Sequence, residues 1–218
     1  MRGSIGGAAL VIAAGLVRAA SAAAAAEDGR TPALELTALA GVAQPSCSPG
    51  TCDGSFGAGA SIAGGVAIRA TRRWAFGLAG AAARAGWHAP FIASDGTTQT
   101  ISSTVTTGLV GVNARLTALP DLALSPVLDM TAGVGFQTET RTGSSCYDGE
   151  RPGTSLGAGV RFRLPPVALL ALGVASLSIP LQGCALSDGG PATAPTTLTL
   201  GVLLGMTVDL ALRGGGAS

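Results

Sequence analysis

The stretch LTLGVLLGMTVDLAL, residues 198–212, decides how the chain is read. Every even position is apolar and large: Leu198, Leu200, Val202, Leu204, Met206, Val208, Leu210 and Leu212. The odd positions Thr199, Gly201, Gly205, Thr207, Asp209 and Ala211 are small or polar, with Leu203 the one exception. Side chains alternate between faces with period two in a strand, whereas a helix would scatter these two classes around its circumference. The segment is therefore a β-strand with one apolar face and one small or polar face.

Working back along the chain, the pattern recurs. Residues 128–139 set Leu128, Met130, Ala132, Val134 and Phe136 against Asp129, Thr131, Gly133, Gly135, Gln137 and Glu139. Residues 155–164 set Leu156, Ala158, Val160, Phe162 and Leu164 against Ser155, Gly157, Gly159, Arg161 and Arg163. Five further segments, 33–43, 57–70, 74–87, 104–118 and 167–181, bring the expected total to eight strands. Residues 74–87 are so rich in alanine that propensity alone favours helix, and the first half of 167–181 is apolar on both faces. Both are kept as strands because their flanks match the series.

The connections alternate between short and long. Short ones are Thr71-Arg72-Arg73, Leu119-Pro120-Asp121 and Leu164-Pro165-Pro166; long ones cover about 44–55, 88–103, 141–153 and 182–196 and are rich in Gly, Pro, Ser, Thr and Asp. Strict alternation is what an up-and-down transmembrane barrel produces, with short turns on the periplasmic side and long loops outside. The expected fold is all-β, an eight-stranded antiparallel up-and-down transmembrane β-barrel.

Composition favours lipid over water around that barrel. Hydrophobic residues make up 47% of the chain, mean hydropathy is +0.49, and only 11% of residues are charged. A soluble barrel needs a charged outer face, and this chain has too few charges to provide one. The net charge of +1 is carried without any lysine, and no basic stripe interleaved with aromatics points to nucleic acid. At the N-terminus, Arg2, an apolar stretch from Ile5 to Val17 and the small-residue run 19–26 have the layout of a secretory signal peptide. The expected organisation is a leader over 1–26, cleaved near Ala26, and one barrel domain over 27–218.

These residues resemble the small eight-stranded outer-membrane barrels, the group that includes the OmpA transmembrane domain and the OmpX-like proteins. The resemblance covers about 33–212 and is architectural: period, strand count and loop alternation carry it, with no diagnostic motif. It implies a monomer in the outer membrane of a diderm bacterium, with outer-membrane lipid and lipopolysaccharide as its surroundings and an extracellular partner met through the exterior loops. One departure is that the last strand ends at Leu212 and not at an aromatic residue.

Catalytic chemistry is not legible. His88 is the only histidine and lies at the exterior end of the third strand near Ser94 and Asp95, a place reminiscent of rim-site lipid enzymes. A barrel deacylase-like His-x-Ser would need serine at position 90, which is Pro90, and no acid is placed to orient the ring. No cofactor and no metal site is expected, since the four cysteines of an exported chain are better read as disulfides. Cys47 and Cys52 share the first exterior loop around Pro49-Gly50, and Cys146 and Cys184 fall in the neighbouring third and fourth, so the expected pairs are Cys47 with Cys52 and Cys146 with Cys184. Because barrel closure also brings the fourth loop beside the first, a bridge from Cys184 to Cys47 or Cys52 is the competing arrangement.

Glu35, Arg69, Arg115, Asp129, Arg161, Arg163 and Asp209 all fall on the small-residue faces, towards the periplasmic half of their strands. Charges in a narrow lumen are tolerable only when paired. They are expected to form an ion-pair network that plugs the barrel; the alternative is the charged constriction of a narrow, porin-like conduit. The exterior loops hold Asp53, Asp95, Asp148, Glu150 and Asp188 against Arg141 and Arg151, either ordinary solvation or a site for divalent cations bridging lipopolysaccharide.

Overall fold

The computed structural model describes residues 33–47, 54–92, 95–141, 144–178 and 196–211; for Cys47, Phe91, 144–149, 196–197 and 211 it describes the backbone alone. The strands are β1 (Ala33–Cys47), β2 (Ser55–Phe56), β3 (Gly59–Arg69), β4 (Trp74–Ile92), β5 (Thr98–Thr117), β6 (Leu124–Arg141), β7 (Ser144–Leu164), β8 (Val167–Ser178) and β9 (Thr196–Ala211). β2 is a two-residue strand that pairs only with β4. The eight long strands form one antiparallel sheet in the order β4-β3-β1-β9-β8-β7-β6-β5, and pairing of β4 with β5 closes it. Closure leaves no edge, which is what lets strands cross a bilayer with every backbone group satisfied.

The stagger of the closure follows from the pairings. Ala33 faces Arg69, then Ala75, Arg115, Asp129, Gly157, Val174, Gly201 and finally Ala43, back on β1. The path returns 43 − 33 = 10 residues up the strand on which it began. For eight strands, that shear corresponds to a tilt of about 40°.

Face parity separates lipid from lumen. On β9, Leu200, Val202, Leu204, Met206 and Leu210 are exposed while Leu203 and Thr207 are buried. Leu128 and Met130 of β6 and Leu156, Val160 and Phe162 of β7 are exposed in the same way. The alanine-rich residues 74–87 are strand throughout, since β3 and β5 pair with them on both sides and override helix propensity.

Two expectations need correcting. The exterior connections are shorter than composition suggests, because β4 runs on to Ile92, β5 begins at Thr98, and β6 and β7 are paired up to Arg141 and Ser144. Most of 88–103 and 141–153 is therefore hairpin, its Ser, Thr and Pro residues carried on backbone pairing that does not depend on side-chain polarity. The inward faces, expected to be mainly small or polar, also carry a group of large apolar side chains. Leu39, Val127, Leu170, Leu172 and Leu203 form a buried cluster inside the barrel, with Ala63 and Val174 packed against it.

The aromatic side chains divide between the outer face and the interior. Trp74 and Phe76 stack on the outer face of β4 with ring centroids 5.7 Å apart, and Phe136 lies over Gly108, where an added Cβ would meet its ring. Trp87 has the opposite parity to Trp74 and points inward, packed with Phe56, Ala89 and Val105. Neither Trp87 nor Phe56 reaches lipid.

Candidate functional site: the barrel lumen

Glu35, the third residue of β1, is 2% exposed and forms the centre of the half of the lumen nearer the short turns. On the neighbouring strand Asp209 lies directly opposite it. Two facing carboxylates repel, and arginines from other strands bridge them. Arg69 of β3 donates to Glu35 Oε2 at 2.5 Å and to Asp209 Oδ1 at 3.2 Å. Arg161 of β7 donates to Asp209 Oδ2 at 3.0 Å and lies 3.8 Å from Glu35 Oε2.

Arg115 of β5 reaches across the lumen to Glu35 Oε1 at 2.5 Å, and its Nε donates to Asp129 Oδ2 at 2.7 Å on β6. Three acids thus meet three arginines from six strands, with no net charge. Thr37 accepts a further bond from Arg115 at 2.9 Å, and Asn113 donates to Asp129 at 2.9 Å and to Thr131 at 3.0 Å. Asn113 and Thr37 were not singled out from the sequence, although both share the inward parity of the charges beside them. Arg163 does not join the group. Two residues beyond Arg161 and next to the last residue of β7, it is exposed at the short-turn rim, where solvent competes for its guanidinium.

Above the charges the lumen narrows to an apolar collar. Leu109, Leu203 and Val174 border both a cavity of about 50 Å³ on the side of the charges and one of about 60 Å³ on the far side. The lower cavity also touches Asn113, Arg115 and Asp129, and the upper one touches Ser61, Thr107, Arg151 and Ser176. At and beyond the upper cavity, Gln137, Glu139, Arg141 and Arg151 are all buried. Arg151 donates to Gln137 at 2.8 Å and Arg141 to Glu139 at 3.1 Å. Arg141 and Arg151, read from sequence as loop residues, are in fact lumen residues of the extended β6–β7 hairpin.

The profile of the outer membrane protein beta-barrel domain matches residues 9–204. The chain belongs to that outer-membrane β-barrel family. Solved structures of similar fold include Neisserial surface protein A, 16% identical, with 82% of this chain and 97% of that one covered and a TM-score of 0.50. They include the attachment invasion locus protein Ail of Yersinia pestis, 13% identical over 83% of this chain and 99% of that one, TM-score 0.44. A third is OprG of Pseudomonas aeruginosa, 7% identical over 83% and 97%, TM-score 0.49. Identities this low speak to fold alone. No curated protein sequence matches the chain.

On this member of the outer-membrane β-barrel family, His88 stands on the outer face of β4. Its Nδ1 lies 2.9 Å from Ser102 Oγ, the residue directly across on β5. The sequence singled out Ser94 and Asp95 instead, because 88–103 reads as loop and hides the cross-strand partner. Asp95 is engaged elsewhere: it accepts from the Thr97 hydroxyl at 2.6 Å and the Thr97 amide at 2.9 Å, which hold its carboxyl below the usual carboxylate range. Among the described residues no group of three or more His, Cys, Asp or Glu is placed to hold a metal ion. Cys52, Cys184 and the segment 1–32 lie outside the described residues, as do the side chains of Cys47 and Cys146, so the expected cysteine pairs and leader fall there too.

Proposed function

We propose that the mature chain is a monomeric, non-enzymatic barrel of a diderm outer membrane, with a closed lumen and a surface role carried by its exterior hairpins. The observation that supports a closed lumen is Glu35, which holds Arg69 and Arg115 at 2.5 Å each while nearly inaccessible to water. A pore would leave these groups hydrated, and eight strands leave an interior that side chains fill. On this reading the leader over 1–26 is removed, and Cys47 with Cys52 and Cys146 with Cys184 brace the exterior connections.

The experiment is planar-bilayer recording on the refolded protein. No unitary conductance above the bare membrane is expected, and a reproducible open level would replace the closed barrel by a conduit. Heat-modifiable migration of the protein from outer-membrane fractions tests the location, and non-reducing peptide mapping tests the cysteine pairs.

A further inference from the structure

We propose that Arg84, His88, Thr104 and Thr106 form a binding site on the outer wall of the barrel for the phosphate of an outer-leaflet lipid. The proposal rests on the outer-membrane placement above and not on the closed lumen, so a conducting barrel would leave it standing.

Arg84 is exposed on the outer face of β4, a face that below it carries Trp74, Phe76, Leu78, Gly80 and Ala82. Ten residues of strand at ~3.3 Å each and ~40° tilt put Arg84 about 25 Å above Trp74, the height of a barrel's apolar band. It stands at the outer headgroup level. An arginine facing lipid at mid-depth costs ~2–4 kcal/mol, and the cost fades towards the interface, where anionic headgroups supply a partner. No ion pair of Arg84 occurs among the described residues, in contrast to Arg69, Arg115 and Arg161 in the lumen.

Small residues flank Arg84. Its neighbours across β3 and along β4 are Ala60, Ala82 and Gly86, so nothing bulky covers the guanidinium. On β5, Thr106 lies directly opposite Arg84 and Thr104 opposite Gly86. His88 closes the exterior end. With Nδ1 tied to Ser102, its ring leans back over Gly86, where a Cβ would lie 3.6 Å from Nε2. An arginine, a histidine and two threonines thus share one patch of the outer wall at headgroup height. That donor-rich set suits a phosphate monoester or diester, with arginine as the charged anchor.

The test is thermal unfolding of the full-length protein in detergent with bis-phosphorylated lipid A, with lipid A stripped of its phosphates, and with inorganic phosphate. Bis-phosphorylated lipid A is expected to raise the midpoint of the wild-type protein and the other two ligands are not. Arg84→Ala should weaken the apparent affinity about tenfold, the scale of one charge-assisted bond, Arg84→Lys should recover part of it, and Gly86→Val should weaken it by filling the space between Arg84 and His88 with the charge intact. Arg73→Ala, in a periplasmic turn, should bind as wild type. Equal protection by the dephosphorylated lipid, or undiminished binding by Arg84→Ala, would overturn the site. Protection by inorganic phosphate equal to that of lipid A would overturn the lipid assignment in favour of a free anion.

Discussion

The two halves of the lumen fill the same narrow cylinder in different ways. Towards the short turns, Glu35, Asp129 and Asp209 meet Arg69, Arg115 and Arg161 in bonds of 2.5 to 3.2 Å. Around the middle, Leu39, Leu170, Leu172 and Leu203 simply pack. An ion cluster is all-or-none: each charge is buried at a cost that only its partners offset, so loss of one member strands the rest. An apolar collar is graded, because a smaller side chain leaves a cavity whose cost scales with its size.

The largest effect separates the halves by that logic. Glu35→Gln removes the one acid that touches three arginines, Arg69, Arg115 and Arg161, and should cost about 3–5 kcal/mol in urea unfolding of the refolded barrel. Leu203→Ala in the collar should cost about 2–4 kcal/mol. Neither variant should conduct in a planar bilayer, because the two closures act in series. Conduction by Glu35→Gln alone would show that the collar does not seal.

A sharper version uses the pair. Glu35→Leu combined with Arg115→Met should cost less than the sum of the single changes, with a coupling of about 1–3 kcal/mol; additive costs would show that the cluster is not a unit. The smallest effect lies outside the lumen, at Asp95. Its carboxyl is held low by Thr97, so what it adds to its turn is present above the ordinary carboxylate range and is lost as pH falls through the lowered value. Amide exchange at Thr97 should therefore quicken in acid, with the rest of the barrel unchanged.

Legibility in the sequence varies along the chain, for a physical reason. Strand number follows from the period-two pattern, order from the alternation of short and long connections, and the division of β9 into two faces from pleat, since the faces of a strand alternate whatever surrounds it. The ends of β4, β6 and β7 do not follow. Pro90, Pro152 and the surrounding Gly, Ser and Thr carry turn signals, yet backbone pairing between β4 and β5 and between β6 and β7 continues through them. The same masking hid the His88–Ser102 contact and the burial of Arg141 and Arg151, all of which depend on a partner strand. Trp87 could be placed opposite Trp74 from its odd spacing, but its burial against Phe56 depended on β2 pairing at Ser55 and Phe56 with the exterior part of β4.

The sequence by itself determined that the chain is a lipid-facing barrel and, for strands with clean alternation such as β9, which side chains look inward, because period two and scarcity of charge are local and compositional properties. Only the tertiary structure decided which inward charges meet. Depth in a barrel depends on the ten-residue stagger of the closed sheet as well as on position along a strand. That stagger sets Glu35 beside Asp209, carries Arg115 across to it, and leaves Arg163 of the same parity at the solvent rim.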